Sequence, residues 1–244
     1  MTSAPRLSLV IPAYNEEKSL ATLLRAILDV DTESVGFSKE IIVVDDGSRD
    51  RTGEIARSFS GVRCLTQIPN QGKGRAVRRG ISESTGDFIL IQDADLEYDP
   101  QDYPALLQKV GAKVDVVYGS RTLGQLRELG WRWPFPGKHN NQAPGPWFAG
   151  VLLSLWTFLL YGRWISDTLT AYKLYPAARI KAMDLKTKGF ETDHEITARL
   201  FRSRMRIAEV PIRYHPRSVT EGKKIKPIDG LIAVWTLLRF RFSQ

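Results

Sequence analysis

Residues 88–100 read FILIQDADLEYDP: an apolar run, then Asp93, Asp95, Glu97 and Asp99 within a few positions. A short run rich in isoleucine and bounded by polar residues predicts a strand buried on both faces. The carboxylates then arrive together where that strand leaves the core. In sheets of parallel strands, this carboxyl edge is where ligands bind.

Similar runs lie on either side: LSLVI (7–11), EIIVVD (40–45), VRCLTQ (62–67) and DVVYG (115–119), with the quoted strand itself read as DFILIQD (87–93). Between the first two, Leu20, Leu23, Leu24, Ile27 and Leu28 keep the spacing of an amphipathic helix. Asn15, Glu16 and Glu17 stand before it, and acids suit a helix N-terminus. Segments 50–60, 74–84 and 101–111 predict further helices. This alternation predicts an α/β fold, a mostly parallel central sheet with helices on both faces and right-handed crossovers. PAYNE (12–16), DDGS (45–48), DADLE (93–97) and GSR (119–121) then share one rim.

The second half reads differently. Residues 122–146, rich in Gly, Pro and Trp, predict a long irregular loop. WFAGVLLSLWTFLLYG (147–162) carries no charge, yet its sixteen residues fall short of the roughly 20 that span a bilayer. It is expected to be a buried or an interfacial helix. LIAVWTLLRFRF (231–242) combines Trp, Leu and Phe with late arginines, as membrane-surface helices do.

With 244 residues, 43% of them hydrophobic, the chain is long enough to bury a full core. The single cysteine, Cys64, excludes an internal disulfide and fits a reducing compartment. No basic segment with a long apolar run opens the sequence, so no signal peptide is expected. The net charge of +8 is concentrated late: residues 199–244 hold eleven basic and three acidic side chains. Such a block points to phosphates on nucleic acid, an anionic membrane or a phosphorylated substrate, or to a solvated basic face. No nucleic-acid motif accompanies it.

Asp93 and Asp95 straddle one small residue, so both carboxylates are able to face a common point. Hard oxygen ligands suit Mg²⁺ or Mn²⁺, with substrate phosphates completing the shell. Glu97 is a candidate third ligand; Asp99, before Pro100, is a candidate helix cap. Asp45 or Asp46 is a candidate acceptor for a nucleotide base or ribose, whereas Asp50 is expected to open the next helix. NQGKGRA (70–76) matches neither G-x-x-x-x-G-K-[ST] nor G-x-G-x-x-G, which disfavours a Walker ATPase and a Rossmann dehydrogenase. Its glycines are expected to let a helix start pack tightly, and its Lys73 is a candidate nucleotide-side cation. His139 and His215 are assigned nothing.

VIPAYNEE, VVDDGSRD, NQGKGRAVRRG, GDFILIQDADLEYDP and VVYGSR, in this order, resemble the inverting GT-A glycosyltransferases of family 2. More narrowly, the chain resembles the dolichyl- or polyprenyl-phosphate monosaccharide synthases, and the likeness continues through SDTLTAYKLYP (166–176), GFETDHEI (189–196) and EVPIRYHPRSVTEGKKI (209–225). The resemblance implies a GT-A, Rossmann-like nucleotide-binding fold that moves a hexose from GDP-mannose or UDP-glucose to a polyisoprenyl phosphate, with inversion and a divalent cation. It implies that Pro12, Ala13, Tyr14 and Glu16 line the nucleotide pocket with Asp45 or Asp46, and that Asp93, Asp95 and Glu97 hold the metal. Arg121, Arg217 and Lys224 would contact phosphates, with Lys223 as the alternative lysine. Asp167 would lie beneath the sugar, and Glu195 would accept from its hydroxyls.

On this reading residues 1–226 form the catalytic domain and 227–244 a C-terminal amphipathic helix, in a peripheral protein at the cytoplasmic face of a membrane. Two alternatives stay open at the level of sequence: the same fold acting on a soluble glycan or protein, and a non-catalytic nucleotide-binding module.

Overall fold

The structure is a computed structural model that describes residues 4–111, 113–131, 137–138, 144–217 and 227–243. The strands are β1 (Arg6–Ala13), β2 (Ser38–Asp45), β3 (Val62–Thr66), β4 (Phe88–Ile91), β5 (Val116–Ser120), β6 (Lys173–Pro176) and β7 (Ile207–Pro211). Among the described residues they form one seven-stranded sheet in the order β3-β2-β1-β4-β6-β5-β7. Every pairing is parallel except those of β6, which runs antiparallel to both neighbours.

The period-two side-chain alternation of a strand explains why helices cover both faces. Along β1, Leu7, Leu9, Ile11 and Ala13 join one core with Leu20, Leu23, Leu24 and Ile27 of α1 (Leu20–Asp29), Ala56 of α2 (Thr52–Ser58), and Leu106 and Leu107 of α4 (Tyr103–Gln108). Val10 points the other way. With Ile89 and Ile91 it meets Val77 and Ile81 of α3 (Lys73–Glu83), Ile180 of α7 (Ala177–Lys181) and Leu200 of α8 (Thr192–Arg202). Truncating any of these fully buried Leu or Ile side chains to Ala would cost about 2–5 kcal/mol.

The expected strands and the helices 20–28, 50–60 and 74–84 form close to their expected bounds. The expected helix 101–111 is shorter: a 3₁₀ turn at Pro100–Asp102 leads into α4. Residues 122–146 are not irregular throughout. α5 (Arg121–Leu129) follows β5 directly, capped by Ser120 Oγ, which accepts from Leu123 N at 3.0 Å, and ended by Gly130 at φ +66°.

α6 (Pro144–Tyr161) is longer than the sixteen-residue uncharged segment suggested. By length and composition alone it is a candidate membrane span, with a mean hydropathy of 1.2. It packs on α9 (Pro227–Phe242) through a third apolar cluster of Leu153, Ala198, Ala233, Leu237 and Phe240. Trp156 Nε1 donates to Val234 O at 3.2 Å and Tyr161 OH to Leu237 O at 2.7 Å, which fixes the pair.

Candidate functional site

The four polar clusters meet at the carboxyl ends of β1, β2, β4 and β5. After β1, Asn15 takes φ +53° and the chain is laced to the loop after β2. Asn15 N donates to Ser48 Oγ (3.0 Å), Glu16 N to Thr52 Oγ1 (2.8 Å) and Glu17 N to Asp50 Oδ2 (3.1 Å). Pro12, Tyr14 and Glu16 are half-buried here, and Ala13 is buried.

The two aspartates of DDGS have different surroundings. Asp46 accepts from Gln67 Nε2 (2.5 Å), Gln71 N (2.8 Å) and Gly72 N (2.8 Å), so its carboxylate is consumed in shaping the 67–72 loop. Its expected part at the nucleotide stays an expectation of the sequence. Asp45 accepts from Ser48 N at 3.0 Å, and a side chain at Gly53 would collide with it. Asp45 and Asp46 both remain candidates for the nucleotide. Asp50 accepts from Thr52 N at 3.0 Å at the start of α2, as expected of a helix-opening residue.

Asp93 and Asp95 leave β4 into a turn where Leu96 adopts φ +61°. Each meets a cation carried by a different element. Lys73 Nζ, at the start of α3, lies 2.7 Å from Asp93 Oδ1 and 3.5 Å from Asp193 Oδ2. Gly72 (φ +93°) and Gly74 let α3 start this close: a Cβ on Gly74 would collide with Thr192 Oγ1 and the Lys188 carbonyl. Arg217 Nη2 lies 2.9 Å from Asp95 Oδ2, and Nη1 lies 3.9 Å from Glu16 Oε2.

Burial raises both aspartate pKa values. The neighbouring Asp95 adds to the rise at Asp93 against the pull of Lys73, and Glu97 adds to it at Asp95 against Arg217. Burial works against the Lys73 ammonium too, but Asp93 and Asp193 outweigh it and hold Lys73 protonated above the usual lysine range.

Glu97 does a different job from the expected one. Its Oε1 accepts from Arg217 N (3.0 Å), its Oε2 from Tyr214 OH (2.9 Å), and its carbonyl from His215 N (2.8 Å). A carboxylate held in this way positions Arg217 beside Asp95, next to the expected metal site. Asp102 grips Arg213 through N at 2.8 Å and Nη2 at 2.9 Å, while Asp99 takes Arg213 Nη1 at 3.1 Å. Asp99 also caps the 3₁₀ turn, accepting from Gln101 N at 2.9 Å. Of the carboxylates after β4, two face the site and the rest hold the 213–217 segment over it.

Arg121 and Asp167 form a largely buried ion pair at the carboxyl end of β5. The guanidinium spans the carboxylate at 2.7 and 2.8 Å, and Arg121 N donates to it at 3.0 Å. Burial pushes Asp167 up, yet Arg121 outweighs it and holds the carboxyl below its usual range. Arg121 also lies over the Tyr214 ring at 4.8 Å, and Tyr214 in turn donates to Glu97. Phosphate contact at Arg121 and a sugar floor at Asp167 stay expectations of the sequence.

Glu195 has structural partners of its own. It is wholly buried and accepts from Lys186 N, Thr187 N and Thr187 Oγ1 at 2.7–3.0 Å, with Arg199 alongside. Asp193, two residues earlier and given no role of its own by the sequence, is the residue that faces Lys73. Burial raises its pKa, but Lys73 and Lys173 hold it below the usual carboxylate range. Helical geometry separates the three: at consecutive positions, Asp193, His194 and Glu195 point in different directions. Lys223 and Lys224 lie outside the described residues.

Asp93 and Asp95 fit a divalent cation by their donor chemistry: hard carboxylate oxygens, half-buried and mutually repulsive, at a rim. Among the described residues no three carboxylate, imidazole or thiol side chains converge into a protein-only cage. Such a set suits a cation that draws its other ligands from water and phosphate. Arg217 keeps a buried Nε–H without a hydrogen-bond partner, 3.8 Å from Glu97 Oε1.

Residues 8–158 match the family model "Glycosyl transferase family 2". The chain belongs to glycosyl transferase family 2. An undecaprenyl-phosphate mannosyltransferase of Micrococcus luteus is 31% identical, over 98% of this chain and 99% of that protein. A dolichol-phosphate mannosyltransferase of Pyrococcus furiosus is 30% identical over 89% of this chain. The chain spans only 59% of the length of the P. furiosus protein. Among solved structures, a glucosyl-3-phosphoglycerate synthase of Mycobacterium tuberculosis in complex with Mn²⁺, UDP and phosphoglyceric acid superposes with a TM-score of 0.68. The match covers 98% of this chain and 80% of that one at 21% identity. That likeness shows the fold, the GT-A arrangement of family 2 enzymes.

Proposed function

We propose that this family member transfers a hexose from a nucleotide sugar, GDP-mannose or UDP-glucose, to a polyprenyl or dolichyl phosphate. The observation that carries the reading is the pairing of Asp93 with Lys73 and of Asp95 with Arg217 at the carboxyl end of β4. A cleft of two carboxylates and two cations is suited to a metal-bound diphosphate on one side and an anionic acceptor on the other. Asp93 and Asp95 would hold Mg²⁺ or Mn²⁺, which supplies charge neutralisation for the departing nucleoside diphosphate. The Mn²⁺ and UDP in the M. tuberculosis structure, and the acceptors named for the two relatives, support the choice of cofactor and substrates.

An acceptor phosphate oxygen attacks the anomeric carbon, forming the new C–O bond as the bond to the nucleoside diphosphate breaks. The phosphate is already largely dianionic at neutral pH, so it needs positioning and charge neutralisation more than a general base. Arg217 offers both, and Glu97 with Tyr214 fixes its backbone. Lys73 neutralises charge on the opposite wall.

A lipid acceptor is favoured over a soluble one by the surface. Phe148, Leu152, Leu155 and Leu159 of α6, and Leu231 and Trp235 of α9, stand exposed on paired helices. An apolar face of this size on a protein whose late segment is basic suits the surface of an anionic membrane, with the chain bound peripherally at the cytoplasmic face.

Incubating the protein and Mn²⁺ or Mg²⁺ with labelled GDP-mannose or UDP-glucose, with and without a polyprenyl phosphate, tests the reading by extraction into organic solvent. Lipid-dependent label in the organic phase is expected, and chelation should remove it. Label transferred only to a soluble acceptor would overturn the acceptor assignment.

A further inference from the structure

Three helices of the second half end at one place: α6 at Tyr161, α8 at Arg202 and α9 at Phe242. Between their ends lies a cavity of about 600 Å³ lined by Tyr161, Arg163, Phe201, Arg202, Arg204 and Arg241. It is separate from the carboxylate cleft. Asp193 enters that cleft from the start of α8, and Arg202 lies nine residues later, about 14 Å along the helix axis. β7, which begins at Ile207, starts from the cavity's side of the sheet and runs toward the rim.

Part of this charge has a structural use. Arg202 donates to the carbonyls of Phe240 and Ser243, Arg241 to Leu160 O at 2.8 Å, and Arg163 to Met205 O at 2.5 Å. These carbonyls lie at or near chain and helix ends, where the helix dipoles concentrate about half a negative charge each. Four whole positive charges exceed three half charges, and each guanidinium has five N–H donors to place. None of the four lies within ion-pair distance of a carboxylate among the described residues. Arg204, at φ +55°, has no side-chain partner there at all. Tyr161 and Phe201 stack at 5.3 Å within the lining.

The cavity's neighbours in sequence identify the kind of anion. Leu159 is 65% exposed, Trp164 56% and Phe242 76%, beside Tyr161, Arg163 and Arg241. A soluble phosphate ester gains nothing from such apolar side chains, whereas a lipid whose headgroup sits among the arginines lays its chains against them. We infer that this arginine-lined cavity binds the phosphate headgroup of an anionic membrane lipid, at a second lipid contact distinct from the acceptor site. The identity of the occupant rests on the membrane-surface reading; the anion site does not.

The test uses the full chain and sedimentation with phosphatidylcholine vesicles containing or lacking phosphatidylglycerol. Because no sugar donor is present, the assay reads the cavity whether or not transfer occurs. Arg204→Gln should weaken binding to the anionic vesicles about fivefold, the loss of one basic residue at a membrane surface. Arg239→Gln removes the same charge from an exposed α9 position that does not line the cavity, and should weaken binding less. Arg202→Gln/Arg204→Gln, checked for folding by its melting curve, should weaken it further. Equal losses for Arg204→Gln and Arg239→Gln would overturn the site in favour of a diffuse field. Calorimetric binding of glycerol 3-phosphate lost on Arg204→Gln, with no preference for anionic vesicles, would overturn the lipid in favour of a soluble phosphate.

Discussion

At Asp95 the whole site turns on one contact, 2.9 Å to Arg217 Nη2, between a carboxylate proposed to hold metal and a guanidinium proposed to hold phosphate. Asp95→Asn keeps the shape and removes the charge. It should lower turnover by at least about 100-fold, as loss of a charge-stabilising group does, and weaken metal-dependent donor binding measured by calorimetry. Wild-type kinetics would remove Asp95 from the metal site. Arg217→Ala should raise KM for the polyprenyl phosphate more than KM for the donor, because the side chain is proposed to hold the acceptor phosphate; an equal effect on both would reassign it. His194 carries a different consequence. Burial, with Lys173 nearby, pushes its pKa down to about 4, and its Nδ1 is buried without a partner. Unfolded, the imidazole takes its proton near pH 6.5, so between 6.5 and 4 the unfolded chain binds the extra proton and stability falls as pH falls. That window is worth about 3 kcal/mol. His194→Phe leaves no lost hydrogen bond at Nδ1 and should flatten this part of the stability–pH profile in urea titrations; a profile parallel to wild type would show that His194 titrates normally.

The strand–helix alternation of the first half is legible because each element carries a period that matches its own geometry and ends at turn chemistry. α5 is the exception that a closer reading could have found, since Ser120 and Gly130 are a cap and a stop at the right separation. What the sequence conceals is which carboxylate faces where. Asp46, Glu97 and Glu195 look like ligands, yet backbone N–H groups from remote segments fill them, and no spacing rule reports a partner 120 residues away such as Arg217 to Glu97. Asp193 was hidden for the same reason, because Lys73 reaches it from another helix. Gly74 shows how an element places a charge. Gly74→Ala forces a Cβ into Thr192 and the Lys188 carbonyl, so the start of α3 must shift and Lys73 with it. Overpacking of this kind costs about 1–3 kcal/mol. The expected result is a lower midpoint in denaturant together with weakened donor binding, whereas Gly36→Ala, open at its Cβ but at φ +83°, should affect stability alone.

Across the whole molecule, the sheet's carboxyl rim and the paired helices α6 and α9 divide the work between chemistry and placement. The apolar faces of those helices are not needed to close the core, since Leu153, Ala233, Leu237 and Phe240 already bury their inner sides. Exposure of Leu159 and Trp235 on the outer side therefore adds nothing to folding and suits a surface that water does not occupy. Removing one such side chain from an interface costs the transfer free energy of its apolar area, about 1.5–3 kcal/mol for full burial, or roughly tenfold or more in partitioning. Leu159→Glu/Trp235→Glu should therefore lower association with neutral phosphatidylcholine vesicles by at least about 100-fold if the two contributions add, with an unchanged melting temperature. Neutral vesicles emphasise this apolar contribution, because they carry no net negative charge to attract the arginines at the helix ends. Undiminished association would mean that these faces meet something other than a bilayer, and a second copy of the chain, detectable as a dimer in sedimentation velocity that the same double variant abolishes, would then be the partner.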